Sequence, residues 1–568
     1  MDWIARTNQQ LQKQFAGRFA VKSQREHLVI EGESGGWQEI VDAGFLAAKA
    51  AKHKIKGCLV NDVKYTGGQA VCMRTPGFED QALEGARPDV LVVGGGVTGC
   101  AITRELTRWK LDVLLAEKEC DVALQASSRN DGMVHPGIDL DKKSQLKYSY
   151  NKRGNAMYGQ VCKELQVPFV REGQYLCFPK WMLAAALRIA KNLHWRRLEV
   201  PCKVVGRKAL RKILPNLHPG LGCGLFFPTA GSVCPYNLTI ALAENAIENG
   251  AKVSLNTAVL GMETENGQIK SVRTNRGTVY PKVVVNAAGT FAEEIAEMAG
   301  DRFFSIHPRR GTNSILDKKA GAIVRYHAST LLTGAAKGAH TKGGGVIRTV
   351  HNNLLLGPDA VETPEKENFA TSRESIKTVF DKQYKTSDKL NQGQIITYFT
   401  GVRAATFEED FVIRRGLYTK NIIHAAGIQS PGLTAAPAIA EDIAKLVLEQ
   451  VKAERNEAFD PHRKAIVNAS ELPEDERNAL IQQDPDYGVI LCRCEQVSRG
   501  EIIAALKRPL VCDSVDGVKR RVRAGMGRCQ GGFCGPLVAQ IIAKELNIPL
   551  EQVRKSGTGS EILLGATK

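Results

Sequence analysis

The sequence lacks several features that would restrict its class at once. No uncharged apolar run approaches the length that a membrane-spanning helix needs, and the first residues contain no apolar stretch typical of a secretory signal. No internal repeat or low-complexity tract is found along the chain. With 568 residues and an ordinary composition, the expectation is a soluble chain of about two to four folded domains.

Acidic residues are less numerous than basic residues. Asp and Glu number 60 against 77 Lys and Arg, which leaves a net charge of +17. An excess of this size fits an anionic substrate, an acidic protein partner or the surface of an anionic membrane. The basic residues are scattered and no nucleic-acid-binding motif accompanies them, so we expect no nucleic-acid partner.

Cysteine is too sparse for a disulfide framework, because only 14 cysteines serve so long a chain. Four near the C-terminus have the spacing of ligands instead: Cys492 and Cys494 form Cys-x-Cys, and Cys529 and Cys534 form Cys-x4-Cys. Four thiolates brought together hold a zinc ion or an iron–sulfur cluster. Zinc sites more often use Cys-x2-4-Cys on both arms, which favours the cluster. Buried free thiols are the remaining alternative.

The glycines around the second cysteine pair, in residues 525–535, let the backbone fold tightly and point N–H groups at the sulfurs. Pro536 suits the first turn of a helix predicted over residues 537–546. Cys512 lies between the pairs and is expected to be a small core residue rather than a fifth ligand. Thiolate ligation needs a reducing compartment, so we expect the protein in the cytoplasm.

Residues 487–550 resemble the bacterioferritin-associated-ferredoxin-like domain. The resemblance is carried by residues 491–495 and 518–534, which include both cysteine pairs. It implies a small helical domain that holds a [2Fe-2S] cluster on the four cysteines.

A second motif occupies residues 89–117, which are predicted as strand, turn, helix and strand. Gly94, Gly96 and Gly99 form Gly-x-Gly-x-x-Gly, and Glu117 closes the second strand. The first glycine makes the turn, the second lets a pyrophosphate approach the backbone, and the third lets helix and strand pack closely. The helix N-terminus favours phosphate charge, and the acid accepts hydrogen bonds from ribose hydroxyls. The pattern predicts a dinucleotide site that disfavours NADP.

Residues 283–289 and 423–434 resemble a nucleotide-contacting strand and the flavin-contacting loop of the FAD-dependent D-amino-acid-oxidase-like superfamily. The resemblance implies FAD rather than NAD. It also implies an α/β fold in which a Rossmann-like FAD-binding domain contains an inserted α+β substrate domain.

Within that superfamily, residues 127–137, 307–311, 355–360 and 401–403 resemble the large subunit of anaerobic glycerol-3-phosphate dehydrogenase. The resemblance covers residues 87–550. The same motifs occur in 2-hydroxyglutarate oxidases, so they specify fold and cofactor better than substrate. Motif and resemblance together place the following residues against the cofactor: Gly94, Gly96, Val97, Thr98, Gly99, Glu117, Lys118, Ser128, Arg129, Asn130, Gly132, Ala288, Gly289, Gly427, Gly432 and Leu433.

Two histidines are candidates for the base that takes the substrate's hydroxyl proton. His135 follows the segment that the resemblance places against the flavin ring, and His351 is its rival. A histidine of ordinary pKa beside the ring suits this role. For both residues the alternative is a histidine that only bonds the backbone.

Arg310 and Arg403 are the candidates for binding an anionic substrate, because similar arginines line the pocket in the family that the chain resembles. The planar fork of arginine bonds oxyanions in pairs. Arg309 is an alternative to Arg310, because the register of the pair is ambiguous. Further options are Arg348, Tyr236 and Lys342.

The N-terminal segment lies outside the recognised pattern. Residues 19–31 alternate like one strand, 36–52 have helical spacing, 57–65 suit another strand, and 67–88 are typical of a linker. The predicted domains are 1–86, a small α/β appendage without an assigned role; 87–455, the FAD-dependent domain; 456–486, a linker; and 487–568, the cluster domain.

These observations together predict an FAD-dependent dehydrogenase that oxidises sn-glycerol 3-phosphate to dihydroxyacetone phosphate. The resemblance implies that electrons pass through the [2Fe-2S] cluster to partner subunits, among them a second flavoprotein and further iron–sulfur carriers, with peripheral association at the inner face of the cell membrane. One alternative is the same flavin chemistry on a 2-hydroxy acid or an amine. The other is an electron-transfer or redox-sensing subunit without a substrate of its own.

Overall fold

The computed structural model describes residues 3–68, 73–138, 140, 146–330 and 344–565. Lys342, one of the predicted substrate contacts, lies outside the described residues. Among the helices that are described, none combines the length and the apolar character that crossing a membrane requires.

The N-terminal unit is a three-stranded sheet with two helices. Its elements are α1 Trp3–Phe15, β1 Phe19–Gln24, β2 His27–Ser34, α2 Trp37–Ala51 and β3 Leu59–Tyr65. Residues 19–31, predicted as one strand, are instead a hairpin of β1 and the start of β2, because Arg25 adopts a positive φ of 52° between them. The predicted helix and second strand are present, and β3 pairs with β2 in parallel.

Residues 90–448, which we call the flavin unit after the cofactor that the resemblance implies, contain two large sheets and eight helices within the described residues. Its strands are β4 Val90–Val93, β5 Val113–Ala116, β6 Met133–Val134, β7 Phe169–Val170, β8 Gln174–Phe178, β9 Lys203–Val205, β10 Cys223–Phe227, β11 Gly231–Val233, β12 Lys252–Ser254, β13 Val259–Glu265, β14 Gln268–Thr274, β15 Gly277–Val279, β16 Val283–Asn286, β17 Ile306–Leu316, β18 His327–Thr330, β19 Gly345–Arg348, β20 Leu354–Gly357, β21 Val361–Glu362, β22 Ile395–Thr406, β23 Val412–Arg415 and β24 Ile422–Ala426. Its helices are α3 Val97–Leu106, α4 Leu146–Glu164, α5 Leu183–Ala190, α6 Arg207–Ile213, α7 Pro235–Glu248, α8 Ala292–Met298, α9 Arg373–Tyr384 and α10 Gly432–Leu448.

The first sheet has the order β12-β5-β4-β16-β24-β23, and all its pairings are parallel except the last. Its central strands are almost wholly Val, Leu, Ile and Ala, as expected for parallel strands covered on both faces. Helices α3, α7 and α10 pack together in the largest hydrophobic core beside this sheet. The predicted Rossmann-like domain is therefore present.

The second sheet contains the strands of Arg309, Arg310 and Arg403, the predicted anion-binding residues and their alternative. Its order is β21-β17-β20-β19-β18-β8-β10-β9, and β22 pairs along almost the whole of β17. Arg309 lies opposite Arg403 in this antiparallel ribbon, whereas Arg310 lies opposite Val402. Because directly opposed residues share a face, Arg309 and Arg403 project from one face and Arg310 from the other.

The C-terminal unit is small and mainly helical. Its elements are α11 Glu474–Gln483, β25 Ile490–Cys492, β26 Val497–Ser498, α12 Arg499–Leu506, α13 Val515–Val522 and α14 Cys534–Leu546. A capping box, in which Ser498 and Glu501 bond each other's backbone N–H groups, begins α12. Cys512 is buried in the hydrophobic core of this unit, as its position between the ligand pairs suggested.

Both predicted linkers are anchored to the flavin unit where they are described. Between residues 67 and 88, Asp80 forms an ion pair with Arg276, and Gly85 donates a backbone hydrogen bond to Thr278. Between residues 456 and 486, Arg463 is buried and forms an ion pair with Glu244 at 2.5 Å. Both segments, which their composition marked as linkers, therefore pack against the flavin unit.

A buried ion pair holds the C-terminal unit against the flavin unit. Asp121, just after β5, accepts hydrogen bonds from Arg521 at 2.9 Å and from Arg520 at 3.0 Å, both on α13. Burial disfavours the charged carboxylate, but the charges of Arg521 and Arg520 outweigh it and lower the pKa of Asp121. Breaking such a pair leaves a buried charge without its partner.

We expect Asp121→Ala to lower the free energy of unfolding by about 3–5 kcal/mol. Because the pKa of Asp121 is lowered, its contribution is complete above the ordinary pKa of aspartate and is lost as the pH falls through the lowered value. Urea titration at neutral pH measures the loss. Asp516→Ala is the control, because Asp516 pairs with the half-exposed Lys555 and should cost at most about 1 kcal/mol. Equal losses for the two variants would contradict this account of docking.

Candidate functional site

The predicted cofactor residues converge because they follow the carboxyl ends of neighbouring parallel strands. β4 leads into the glycine loop, β5 into Glu117, β16 into Ala288 and Gly289, and β24 into Gly427. Loops at this edge of an open α/β sheet meet in one crevice, where ligands bind.

The glycine loop has the geometry that its motif predicts. Gly94 has a φ of +109°, and a Cβ there would lie 2.5 Å from the carbonyl oxygen of Ala287. A Cβ on Gly99 would lie 1.9 Å from the carbonyl oxygen of Gly94. The position of a Cβ on Gly96 meets only the Ser127 hydroxyl oxygen, at 3.2 Å, among the described atoms. The backbone is therefore open where a phosphate would approach.

Glu117 faces this loop. Its carboxylate accepts the N–H of Gly95 at 2.5 Å and of Glu119 at 2.8 Å. Burial raises the pKa of Glu117 to about 7, because little water reaches the carboxylate. The ammonium of the neighbouring Lys118 donates hydrogen bonds to Glu119 and to Glu367 rather than to Glu117.

The segment before β6 lies over the start of α3. The N–H of Val97, which with Thr98 begins the helix, donates to the hydroxyl of Ser127 at 2.8 Å. The sequence prediction chose the neighbouring Ser128, whose hydroxyl bonds the carbonyl of Gln125 at 3.4 Å. Ser127 is therefore a site residue that the prediction missed, and the adjacent serines gave no means of choosing between them.

The next three predicted contacts form a tight turn. The Arg129 guanidinium stacks over Phe369 with 4.2 Å to the ring centroid. The Asn130 side chain accepts the N–H of Gly132 at 2.9 Å, and Gly132 has a φ of +68°. The carbonyl of Gly132 accepts the N–H of Val233 at 3.0 Å. This turn thus joins the nucleotide loop to the start of α7.

The remaining predicted contacts border the same crevice. Gly289 has a φ of +60°, and no described atom lies within 4 Å of the position of its Cβ. Gly427 has a φ of +64° after β24, and Gly432 and Leu433 begin α10. The Leu433 carbonyl is fixed by the hydroxyl of Tyr158 at 2.5 Å. Open backbone at Gly96 and Gly289, together with the buried carboxylate of Glu117 for ribose, fits FAD.

We expect Gly99→Ala to remove most of the bound flavin, because its methyl group would overlap the Gly94 carbonyl and force the loop open. The measurement is flavin released by heat per mole of protein. Gly159→Ala, on the exposed side of α4 with no described atom within 4 Å of its Cβ position, is the matched control and should keep full flavin content. Full flavin content in Gly99→Ala would show that this close approach is not needed.

His135 lies beside the predicted flavin-contacting loop. Its backbone N–H donates to the hydroxyl of Thr434 in α10 at 2.9 Å, and its carbonyl accepts the side-chain amide of Asn155 at 2.9 Å. Its Nε2 lies 3.4 Å from the hydroxyl oxygen of Ser430. The structure therefore holds His135 at the crevice between β6 and α10.

His351, the rival base, lies in the loop between β19 and β20. Burial lowers the pKa of His351 to about 2, and the charges of Arg523 and Lys318 act in the same direction. A base must hold the proton that it accepts, and these surroundings disfavour the protonated ring. They favour His135 over His351.

Arg403 is a half-buried cation without a carboxylate partner among the described residues. Its two terminal nitrogens bond only the carbonyls of Arg310, at 3.4 Å, and Asp359, at 3.2 Å. Burial lowers the pKa of Arg403. The guanidinium covers Gly311, and Gly401 of the same strand contacts the Arg129 backbone. Its charge is therefore available to an anion near residues 129–132, the segment predicted to contact the flavin, which we call the flavin segment.

The neighbouring arginines differ from Arg403. Arg309 donates to Glu362 at 2.5 Å and to Glu409 at 2.6 Å, so two carboxylates already neutralise it. Arg310 points to the other face of the ribbon and bonds the side-chain oxygen of Asn368 at 3.1 Å. The structure does not bring Arg310 and Arg403 together on one face.

Arg348, a predicted option, and His327, which was not predicted, both contact Ser232 in β11. Arg348 bonds Asn352 at 2.7 Å and forms an ion pair with Glu172, so its charge is neutralised. His327, which no motif marked, is fully buried with its Nε2 3.1 Å from the Ser232 hydroxyl oxygen. Burial lowers the pKa of His327 to about 4.

The four predicted ligand cysteines meet as two pairs. The sulfurs of Cys494 and Cys529 lie 3.7 Å apart, and a hydrogen bond from Cys534 lowers the pKa of Cys492 to about 6. Within the described part of the chain, no three potential ligands surround the position of a single ion. Two thiol pairs fit a [2Fe-2S] cluster, which four cysteines hold, better than a tetrahedral zinc ion.

Backbone N–H groups point at one of these sulfurs, as the glycines predicted. The N–H groups of Phe533, Gly531 and Gly532 bond Cys529 and lower the pKa of its thiol. Such bonds stabilise the thiolate and tune a cluster.

The start of α7 contacts the cluster loop, residues 525–535 around the second cysteine pair. Tyr236, at the start of α7, donates its hydroxyl to the sulfur of Met526 at 3.1 Å. Arg523 donates to Glu495, next to Cys494, at 2.8 Å. Val233, just before α7, bonds the turn at Gly132, so the start of α7 is linked both to this turn and to the loop of the cluster ligands. Tyr236 is part of this link.

Comparison with family models agrees with this division of the chain. Residues 89–446 match the FAD dependent oxidoreductase family, and residues 490–544 match the BFD-like [2Fe-2S] binding domain. The first match covers more than half of the chain.

Individual relatives of the chain are also FAD-dependent or glycerol 3-phosphate-oxidising proteins by name. A glycerol 3-phosphate dehydrogenase of Caloramator mitchellensis is 39% identical over 84% of this chain and 99% of its own. A glycerol 3-phosphate oxidase of Mycoplasma genitalium is 28% identical over 65% of this chain and 96% of its own. The FAD-bound L-alpha-glycerophosphate oxidase of Mycoplasma pneumoniae superposes with a TM-score of 0.61 at 25% identity, over 66% of this chain and 98% of its own. The chain belongs to the FAD-dependent oxidoreductase family, on the branch of the glycerol 3-phosphate dehydrogenases and oxidases, and carries a C-terminal [2Fe-2S] domain.

Proposed function

We propose that this enzyme oxidises sn-glycerol 3-phosphate to dihydroxyacetone phosphate and that the electrons leave through its [2Fe-2S] cluster to partner subunits. The single observation that carries the substrate assignment is Arg403, a half-buried guanidinium without a carboxylate partner among the described residues, close to the flavin segment. Bound FAD supplies the hydride acceptor, and a bound cluster carries one electron at a time.

Arg403 supplies the charge that a phosphate needs. A guanidinium presents paired N–H groups that match two phosphate oxygens, and burial strengthens the attraction because water screens it poorly. The two long backbone contacts of Arg403 leave donors for a substrate. Arg309 keeps its own two carboxylates, which prevents it from competing for the anion.

His135 is the residue that would accept the hydroxyl proton of the substrate. Its backbone N–H donates to the Thr434 hydroxyl and its carbonyl accepts the Asn155 amide, which fixes the backbone, and its ring approaches the Ser430 hydroxyl. A histidine ring changes charge near neutral pH, which suits it to accept the proton of a substrate hydroxyl.

The outer edge of the cluster site suits a partner protein. Cys494 is exposed and Cys529 is half-buried, whereas Cys492 and Cys534 are buried. Phe533, between the ligands Cys529 and Cys534 in sequence, is 84% exposed. An exposed aromatic side chain in the loop of the ligands, one of which is exposed, offers a small apolar contact for a second flavoprotein or an iron–sulfur protein.

Anaerobic reduction of the bound flavin tests this proposal. Glycerol 3-phosphate should bleach the flavin absorbance within the dead time of hand mixing, whereas 2-hydroxyglutarate and amino acids should not. Bleaching by a 2-hydroxy acid or an amine alone would mean that Arg403 binds a carboxylate instead. An unchanged spectrum with all three compounds would mean that the chain serves electron transfer only.

A further inference from the structure

The N-terminal unit lies outside the part of the chain that matches the FAD-dependent family, yet it packs on one end of the ribbon of β17 and β22. Phe407, which directly follows β22, is buried in the hydrophobic core of the N-terminal unit. A Cβ on Gly44 of α2 would lie 2.3 Å from the ring of Phe407. Phe45 contacts His307 of β17 edge to face, with 5.1 Å between the ring centroids. The N-terminal unit therefore holds one end of the ribbon that carries Arg403.

The turn at the end of β22, residues 406–410, contacts several parts of the molecule. The carboxylate of Glu408 accepts the N–H of Leu59, in β3 of the N-terminal unit, at 2.7 Å. The carboxylate of Asp410 accepts two backbone N–H groups at the start of α4, at 2.8 and 3.0 Å. Between them Glu409 has a positive φ of 56°, a conformation that few residues other than glycine adopt. Such a backbone persists only where the surrounding contacts fix it.

Glu409 bonds the loop that is predicted to contact the flavin, residues 423–434. One carboxylate oxygen accepts the guanidinium of Arg309 at 2.6 Å, and the other accepts the side-chain amide of Gln429 at 2.6 Å. Burial disfavours the charged carboxylate, but the charges of Arg309 and Lys147 outweigh it and lower the pKa of Glu409 to about 2. Glu409 is therefore an anion at neutral pH, and both of its oxygens hold donors.

We infer that Glu409 is a positioning residue for the flavin and that the N-terminal unit keeps it in place. The contacts lead from the core of the N-terminal unit through Phe407 to Glu409, and from Glu409 to Gln429 in the flavin-contacting loop. This role rests on the predicted flavin contact of residues 423–434 and is independent of the substrate. The N-terminal unit, which the proposed function leaves without a role, thereby supports the cofactor site.

Glu409→Gln tests the positioning residue. Glutamine would put an NH2 group where one carboxylate oxygen now accepts a donor from Arg309 or Gln429, and the negative charge beside the loop would be lost. We expect the FAD dissociation constant of the holoprotein to rise roughly tenfold or more. The equilibrium of the bound flavin with a redox dye should shift roughly tenfold toward reduced flavin, about 30 mV for a two-electron couple, because uptake of a hydride adds negative charge.

Glu449→Gln is the matched control for this charge change. It removes the exposed carboxylate that pairs with Arg415 and should change neither the FAD dissociation constant nor the potential.

Gly44→Ala tests the N-terminal unit from a distance. Alanine favours a helix more than glycine does, so α2 itself is not weakened. The new methyl group would overlap the ring of Phe407 and displace the turn that carries Glu409. We expect weaker binding of FAD and a potential shifted in the same direction as in Glu409→Gln. Lys49→Ala, on the exposed side of α2, is the control and should bind FAD as the wild type does.

Wild-type FAD affinity in Gly44→Ala would overturn the role of the N-terminal unit. An unchanged potential in Glu409→Gln would overturn the role of Glu409, because its contacts would then be structural only. A control variant that loses as much FAD as its partner would overturn the inference as well. Both measurements use the FAD-loaded protein without substrate, so they are independent of the proposed oxidation of glycerol 3-phosphate, whose own test is flavin bleaching.

Discussion

Replacing Arg403 with alanine is expected to reduce kcat/KM for glycerol 3-phosphate by roughly 30-fold to several thousand-fold. The reason is that a buried phosphate would lose its charged partner, which costs about 2–5 kcal/mol. Bound FAD should stay near the wild-type level, because Arg403 contacts the carbonyls of Arg310 and Asp359 and none of the predicted FAD contacts through its side chain. Steady-state kinetics with an artificial acceptor, together with flavin content, measures both effects.

Arg310→Ala is the matched comparison for this prediction. The two arginines come from paired strands, but Arg310 projects from the opposite face. We expect its loss to reduce kcat/KM by less than about tenfold, the effect of a neutral hydrogen bond. A larger loss in Arg310→Ala than in Arg403→Ala would reverse the assignment of the anion site, and an unchanged KM in Arg403→Ala would remove that residue from the pocket.

The second large effect concerns the cluster. Cys492→Ser should remove the cluster's visible spectrum and abolish electron transfer to a one-electron protein acceptor, because two iron atoms need all four thiolates. Reduction of the flavin by glycerol 3-phosphate should change little, since Asp121 and its arginines dock the C-terminal unit independently of the ligands. Iron content, the visible spectrum and anaerobic flavin bleaching measure these outcomes.

Cys512→Ser is the control for the cluster variant. Cys512 and Cys492 are both buried in the hydrophobic core of the C-terminal unit, yet only Cys492 takes part in a thiol pair. The control should therefore retain iron. Loss of FAD in Cys492→Ser would show that the cluster is structural, and retention of iron would remove Cys492 from the ligand set.

The dinucleotide loop could be predicted from the sequence because each residue type is required by the backbone geometry of its own segment. Gly94 needs a positive φ, Gly99 needs contact with the Gly94 carbonyl, and Glu117 ends a strand that its own apolar residues define. The cluster ligands were predictable for the same reason, since their spacing along the chain already limits how they meet. The hairpin at Arg25 was not, because no glycine or proline marks that turn.

The parts of the site that depend on distant contacts could not be predicted. The pattern 307–311 did not fix which arginine faces the crevice, because the face depends on the pairing of β17 with β22. His351 was predicted as an equal of His135, because its burial and the charges of Arg523 and Lys318, which all lower its pKa, depend on distant parts of the chain. No local signal marks Ser127 or His327, whose roles come from Val97 and Ser232 across the fold.

The account depends on electrons moving from substrate to cluster within one polypeptide. Electron paramagnetic resonance of the anaerobic holoprotein after addition of excess glycerol 3-phosphate tests this directly. We predict the signal of a reduced [2Fe-2S] cluster in the wild type and its absence in Arg403→Ala at the same substrate concentration and time. A fully bleached flavin beside a cluster that stays oxidised would contradict the account.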